Sequence, residues 1–162
     1  MANKALQRTG DHGGRHVIAL EPMTKEIGGF EFAFAAKREA LGPYIEVKWG
    51  WDESFQRSVH SERWAAKSFF RIVVDGEAAG TVAIDESATH VQFGEFYLLP
   101  PYQRRGIGGQ VLATVIEQST QKRLPVRLEC LKWNPALSLY KRAGFLVTRE
   151  DDIHYFMERP CL

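Results

Sequence analysis

Between Pro100-Pro101 and a stretch of apolar residues at helical spacing lies the run Gln103-Arg104-Arg105-Gly106-Ile107-Gly108-Gly109. A loop that leads from a strand into a helix presents N–H groups with no partner inside the helix, at the end where the helix dipole favours an anion. Gly106 and Gly108 let the backbone approach such an anion, Arg104 and Arg105 add positive charge, and Gln103 can tie the loop down by hydrogen bonding. These residues suit a phosphate or pyrophosphate. A P-loop requires Gly-x-x-x-x-Gly-Lys-Ser/Thr, and the dinucleotide fingerprint requires three spaced glycines after a parallel strand; neither pattern is present. Taken alone, the same run also describes a solvated arginine pair ahead of a glycine-rich helix start.

Other residues invite chemistry by type. Glu95 alternates with Val91, Phe93, Tyr97 and Leu99, so an extended strand would place it on an apolar face, where an isolated carboxylate is costly. Glu129 stands between Leu128 and Cys130, apolar neighbours that would raise its pKa. The run Trp49-Gly50-Trp51-Asp52-Glu53 sets aromatics beside carboxylates, which suits a cationic amine, although tryptophans beside a helix start also serve as core. The histidines at 12, 16, 60, 90 and 154 have no metal-ligand spacing, so no metal is expected, and Cys130 reads as a small buried hydrophobe.

The elements that must position these residues follow from periodicity and punctuation. Arg15 to Leu20 reads as a first strand, and Lys25 to Leu41 as a helix stopped by Gly42-Pro43. Trp51 to Trp64 reads as a second helix capped by Asp52, with Phe55, Val59 and Arg63 sharing a face. Ser68–Val74, Ala78–Ile84 and Val91–Leu99 form an antiparallel meander whose first turn is the hairpin signal Asp75-Gly76. A helix over Gly106–Gln121 and a strand over Pro125–Leu131 come next. Then a short helix with Asn134 as N-cap and Pro135 at its first position ends at Gly144, ahead of strands at Phe145–Thr148 and Ile153–Met157.

Leu98 to Gly108 resembles the acetyl-CoA-binding motif Gln/Arg-x-x-Gly-x-Gly/Ala of the GNAT N-acetyltransferase superfamily. Leu128 to Phe145 is similar to that family's Asn-x-x-Ala-x-x-Leu-Tyr-x-x-x-Gly-Phe segment, except that alanine stands at 136 with Leu137 after it. The resemblance implies an α+β fold: a mostly antiparallel sheet of about six or seven strands, splayed between the fourth and fifth, with about four helices. It implies acetyl-CoA as cosubstrate, its pyrophosphate on Gln103–Gly109 and its pantetheine along Leu98 and Leu99, with Asn134 in contact. It also makes Tyr140 the general acid, and a phenol is protonated at neutral pH. Glu129 matches the base of some protein-N-terminal acetyltransferases, whereas relatives that keep their base on the fourth strand carry it in the phase of Gln92 and Gly94, opposite to Glu95. Water is the remaining candidate for base. The acceptor pocket is expected from the first two helices and their connection, hence Trp49, Trp51, Asp52 and Glu53.

Composition bounds the rest. The chain of 162 residues supports one domain, expected over 15–160 after a flexible tail at 1–14 that lacks the apolar core of a signal peptide. Its 21 Lys and Arg against 20 Asp and Glu give no general pull toward nucleic acid or anionic membrane. Two cysteines make no disulfide framework, and a cytoplasmic enzyme is expected. The expected partner is a small-molecule or peptide amine, with a homodimer compatible with the sequence. Transfer of a longer acyl group and a non-catalytic coenzyme A-binding regulatory module are the competing readings.

Overall fold

The computed structural model describes residues 6–8 and 16–161. In chain order the elements are β1 (Leu6–Arg8), β2 (Ile18–Pro22), α1 (Ile27–Trp49), α2 (Glu53–Ala66), β3 (Phe69–Val74), β4 (Glu77–Glu86), β5 (Val91–Leu98), a 3-10 turn at Pro100–Tyr102, α3 (Ile107–Gln121), β6 (Val126–Leu131), α4 (Leu137–Arg142), β7 (Leu146–Glu150) and β8 (His154–Arg159). They build one eight-stranded sheet of order β1-β2-β3-β4-β5-β6-β8-β7. Residues 6–8, expected in the tail, pair antiparallel with β2 at the sheet edge; the remainder of 1–14 lies outside the described residues.

The meander forms as its turn chemistry dictates. Asp75 and Gly76 both have positive φ, at 50° and 86°, as a two-residue turn matched to strand twist requires. The Asp75 carboxylate also accepts hydrogen bonds from Val17 N and His16 Nδ1, which ties β2 to the same turn. The β5-α3-β6 unit then returns the chain parallel to β5, but the two strands pair only at Val91/Val126 and Gln92/Arg127. Beyond those two pairs they diverge. This is the splay expected between the fourth and fifth strands, shifted by one in number because β1 precedes them.

One face of the sheet carries α3 and α4 over a core that includes Phe93, Ile107, Val111, Leu112, Leu128, Tyr140, Phe145 and Met157. The other face carries α1 and α2, where Trp64, Phe69, Ala33 and Ala83 pack together. Two expectations fail on this second face. Gly42-Pro43 does not end α1, which runs on to Trp49 with Pro43 inside it. Proline removes one ladder hydrogen bond, yet Ala33, Lys37, Leu41 and Ile45, four residues apart, form a continuous buried stripe that holds both halves of the helix in line. Gly42 also gives room to Trp51, whose ring would lie 3.7 Å from a Cβ at that position.

In α2 the buried face is Gln56, His60 and Trp64 rather than Phe55, Val59 and Arg63. His60 Nε2 donates to Phe30 O and the ring sits among Phe30, Phe34, Trp64 and Phe69, so aromatic packing with α1 and β3 sets the rotation of the helix. Phe55 is left 60% exposed. No described helix is long and apolar enough to cross a membrane.

The β4–β5 contact is close enough to test. A Cβ on Gly80 would meet Tyr97 O at 2.0 Å, whereas one on Gly28 meets nothing within 4 Å. Gly80→Ala should therefore lose at least about 2 kcal/mol in denaturant unfolding, and Gly28→Ala should gain up to about 1 kcal/mol. Equal effects from the two changes would refute this account of the strand packing.

Candidate active site

The register of β4 on β5 slips between Thr81, which pairs with Tyr97, and Ala83, which pairs with Gly94. Val82 thus faces both Glu95 and Phe96, and Glu95 takes up the slack in the left-handed region at φ 47°. Thr81 Oγ1 donates to Glu95 O across the bulge. The bulge changes which way side chains point. Phe93 and Phe96 lie together on the α3–α4 face, 5.3 Å apart, while Glu95 reaches Arg63 Nη1 of α2 at 3.3 Å and Lys67 Nζ, at the C-cap of that helix, at 3.2 Å. Gly94 is on that same side, since a Cβ there would lie 3.6 Å from Lys67 Nζ. Glu95 therefore does not share a face with Phe93, as plain alternation suggests, but joins the phase of Gly94.

Glu95 floors a cavity of about 790 Å³ walled by Lys37, Leu41, Ile45 and Trp49 of α1, Phe55, Val59 and Arg63 of α2, and Glu129 and Cys130 of β6. Because both β5 and β6 line it, the cavity opens onto the splay. Burial alone would raise the Glu95 carboxyl, but Arg63, Lys67 and Lys37 outweigh it and leave the group below the ordinary carboxylate range. Burial, then the nearby Arg63, pushes Lys37 down to about 8. Tyr97 is raised by burial and by the Glu95 charge.

Glu129 also lines the cavity, but it is exposed, on the face of β6 opposite the buried Leu128 and Cys130. The apolar enclosure expected from its neighbours is absent because strand alternation turns them the other way. Cys130 is pushed up to about 11 by burial and the Glu129 charge, which keeps it a thiol. Tyr140 is buried between Phe93 and Phe145 on the α3–α4 side, and burial raises its phenol well above the ordinary value. It therefore holds its proton at any physiological pH.

At the start of α3, Gly106 is the N-cap at φ 77°, with no side chain capping the helix. The N–H groups of Ile107, Gly108 and Gly109 lie outside the helical ladder and face the loop. Gln103 Nε2 donates to Leu98 O at 2.8 Å, and Arg105 Nη1 donates to Pro101 O at 3.2 Å, so the loop is tied to the end of β5. Arg104, like Gly106, has positive φ. Gly108 packs on Leu139 and Phe96, with a Cβ there at 3.2 Å from Leu139, which joins α3 to α4 under the splay.

Asn134 lines the cavity, but it does not cap α4 as expected. Its Oδ1 accepts from Ala136 N at 2.8 Å in a turn that precedes the helix, and the cap position falls to Ala136. The residues of the α1–α2 connection separate. Trp49 and Asp52 line the cavity, with Asp52 capping α2 through Phe55 N. Trp51 packs on Gly42 and Phe34 and donates to Glu53, whose carboxylate is also held by Arg38 and Arg57. These contacts draw Trp51 and Glu53 away from the cavity. Sequence reasoning missed Lys37, Arg63 and Lys67. The signal for Lys37 was present, because it shares the four-residue stripe of Ala33, Leu41 and Ile45.

The folded chain holds Lys37 at about 8 against an ordinary 10.5, so between those values it binds fewer protons than the unfolded chain. The stabilisation from this group is fully present above the higher value and is lost as pH falls through the lower one. Lys37→Met should accordingly be more stable than the wild type near neutral pH, by a margin that shrinks as pH rises past 8. Unfolding curves that show the same difference at every pH would contradict a buried ammonium.

Comparison with curated protein sequences returns no match. Among solved structures, the chain is similar to the PaiA N-acetyltransferase of Thermoplasma acidophilum in complex with coenzyme A (TM-score 0.69, 19% identity, covering 88% of this chain and 98% of that one). It is also similar to PH1933 of Pyrococcus horikoshii OT3 (TM-score 0.71, 19% identity, 88% and 98%) and to the ribosomal-protein-S18-alanine N-acetyltransferase of Escherichia coli (TM-score 0.65, 17% identity, 90% and 94%). Likeness at such identities is likeness of fold. The family model described as the acetyltransferase (GNAT) family, however, matches residues 34–145, more than half of the sequence. The chain therefore belongs to the GNAT acetyltransferase family and is an acyltransferase with acetyl-coenzyme A as its cosubstrate.

Proposed function

We propose that the protein moves the acetyl group of acetyl-CoA to a primary amine by direct attack in a ternary complex. The observation that carries this reading is the splay. It lies between the uncapped N-terminus of α3 on one side and a cavity lined from both β5 and β6 on the other. An anion on α3 and an amine in the cavity are thereby set at opposite ends of one gap.

In this reading the N–H groups of Gly106 to Gly109, with Arg104 and Arg105, hold the pyrophosphate, and Gln103 keeps the loop in shape. Leu98 and Leu99 offer backbone to the pantetheine along the β5 edge that β6 leaves free, and Asn134 contacts the coenzyme from the far side. The amine nitrogen attacks the thioester carbonyl carbon and the C–S bond breaks. Glu129 accepts the proton of the amine, directly or through water, and Tyr140 gives its phenolic proton to the departing sulfur. Glu95, held by its cations, shapes the floor instead. Trp49 and Asp52 contact the acceptor, while Trp51 and Glu53 support them. Unpaired Cys130 and Cys161 fit a reducing compartment, and we place the reaction in the cytoplasm.

Calorimetric titration of the intact protein with acetyl-CoA should show binding, and thiol release should follow on a panel of amines. Tyr140→Phe should bind acetyl-CoA as tightly as the wild type and lose about 100-fold in kcat. Glu129→Gln should lose a comparable factor at neutral pH and recover part of it at higher pH, where the amine is already neutral. Absence of acetyl-CoA binding defeats the proposal. Binding without transfer to any amine points to the coenzyme-binding module.

A further inference from the structure

We infer that the acceptor is a small amine that also carries a carboxylate, and that Lys37, Arg63 and Lys67 hold that carboxylate at the α1–α2 side of the cavity. The inference rests on the acetyl-transfer reading above and narrows its acceptor.

Three cations converge on one carboxylate. Arg63 and Lys67 meet Glu95 at 3.3 and 3.2 Å, and Lys37 lies near enough to act on all three of these groups electrostatically. A single negative charge leaves the cluster with cations in excess. Lys37 carries that excess most clearly: it is 3% exposed, it lines the cavity, and the carboxylate that attracts it is Glu95, which Arg63 and Lys67 already hold. An ammonium so deeply buried is costly unless something pairs with it. Arg63 and Lys67, each about a third exposed, line the same space.

The other acidic groups on the cavity wall do not supply the missing charge. Asp52 is exposed and caps α2, and Glu129 is exposed on β6, across the splay. The cavity thus has its cations beside Glu95 on the α1–α2 side and the Glu129 carboxylate across the splay. An acceptor with a carboxylate at one end and an amine at the other matches that order: the carboxylate meets Lys37 and Arg63, and the amine is directed toward Glu129 and the thioester. A volume of about 790 Å³ lies within the range of small-molecule sites. The same cluster opposes polycationic acceptors, since their charges would approach the Lys37 ammonium and the Arg63 guanidinium.

The test is an acetylation assay, followed by thiol release, on α- and ω-amino acids of increasing length, each paired with its own carboxamide. The favoured acid should exceed its carboxamide in kcat/KM by about tenfold or more, mostly through KM. Lys37→Met should abolish that preference by raising KM for the acid while leaving the carboxamide little changed. Arg63→Gln, at a more exposed position, should reduce the preference in the same direction, an independent check on the Lys37 result. Carboxamides or polyamines accepted as well as acids, or variants that slow both members of a pair alike, would overturn the inference and leave acetyl transfer standing. Failure to bind acetyl-CoA would instead remove the reading beneath it.

Discussion

Glu95 is a carboxylate that is almost wholly buried, on a residue whose backbone is left-handed, and much of the molecule is arranged around holding it there. The conformation costs about 1–2 kcal/mol for a residue with a Cβ, and burying the charge costs more. Both costs are offset only because Arg63 and Lys67 reach across from α2 and Thr81 closes the backbone of the bulge. The extra residue in β5 increases its local bend. From Phe93 onward β5 has β4 on one edge and no strand on the other, which is the opening that the site needs.

That opening divides the labour of the two faces. On the α3–α4 side the contacts are apolar and close. Gly108 sits on Leu139 and Phe96, Tyr140 lies between Phe93 and Phe145, and the first turn of α3 has no side-chain cap. On the α1–α2 side the wall is a mixture of aliphatic, aromatic and charged residues, and its charges are ordered rather than scattered. In the proposed reading an anion is recognised on the first side by backbone dipole and arginine. On the second, recognition depends on side chains borne by helices. Near-zero net charge does not oppose the two proposed anion sites, because field strength follows local arrangement and burial rather than the sum.

Much of this was legible in the linear sequence because it depends on neighbours a few residues apart. The Asp75-Gly76 hairpin, the meander, the strand-loop-helix around Gln103–Gly109 and the final strand pair all come from turn chemistry and periodicity, which act locally. Where local signals met tertiary packing, packing prevailed. Gly42-Pro43 reads as a stop, yet the buried stripe from Ala33 to Ile45 carries α1 through it. Asn134-Pro135 reads as a helix start, yet the helix begins at Leu137. In α2 the apolar Phe55 is exposed, while the histidine and tryptophan of the neighbouring face enter the aromatic cluster.

The sequence by itself pointed to the family of the chain and to the proposed coenzyme loop and tyrosine of α4, because those are short motifs defined by their own backbone or by a set spacing. The acceptor side was decided only by the tertiary structure. A bulge is a mismatch between two strands and cannot be read from one of them, so the face of Glu95 became known only when Thr81 and Ala83 were paired with their partners. The cations around it come from positions 37, 63 and 67, too far from residue 95 for any local spacing to reveal.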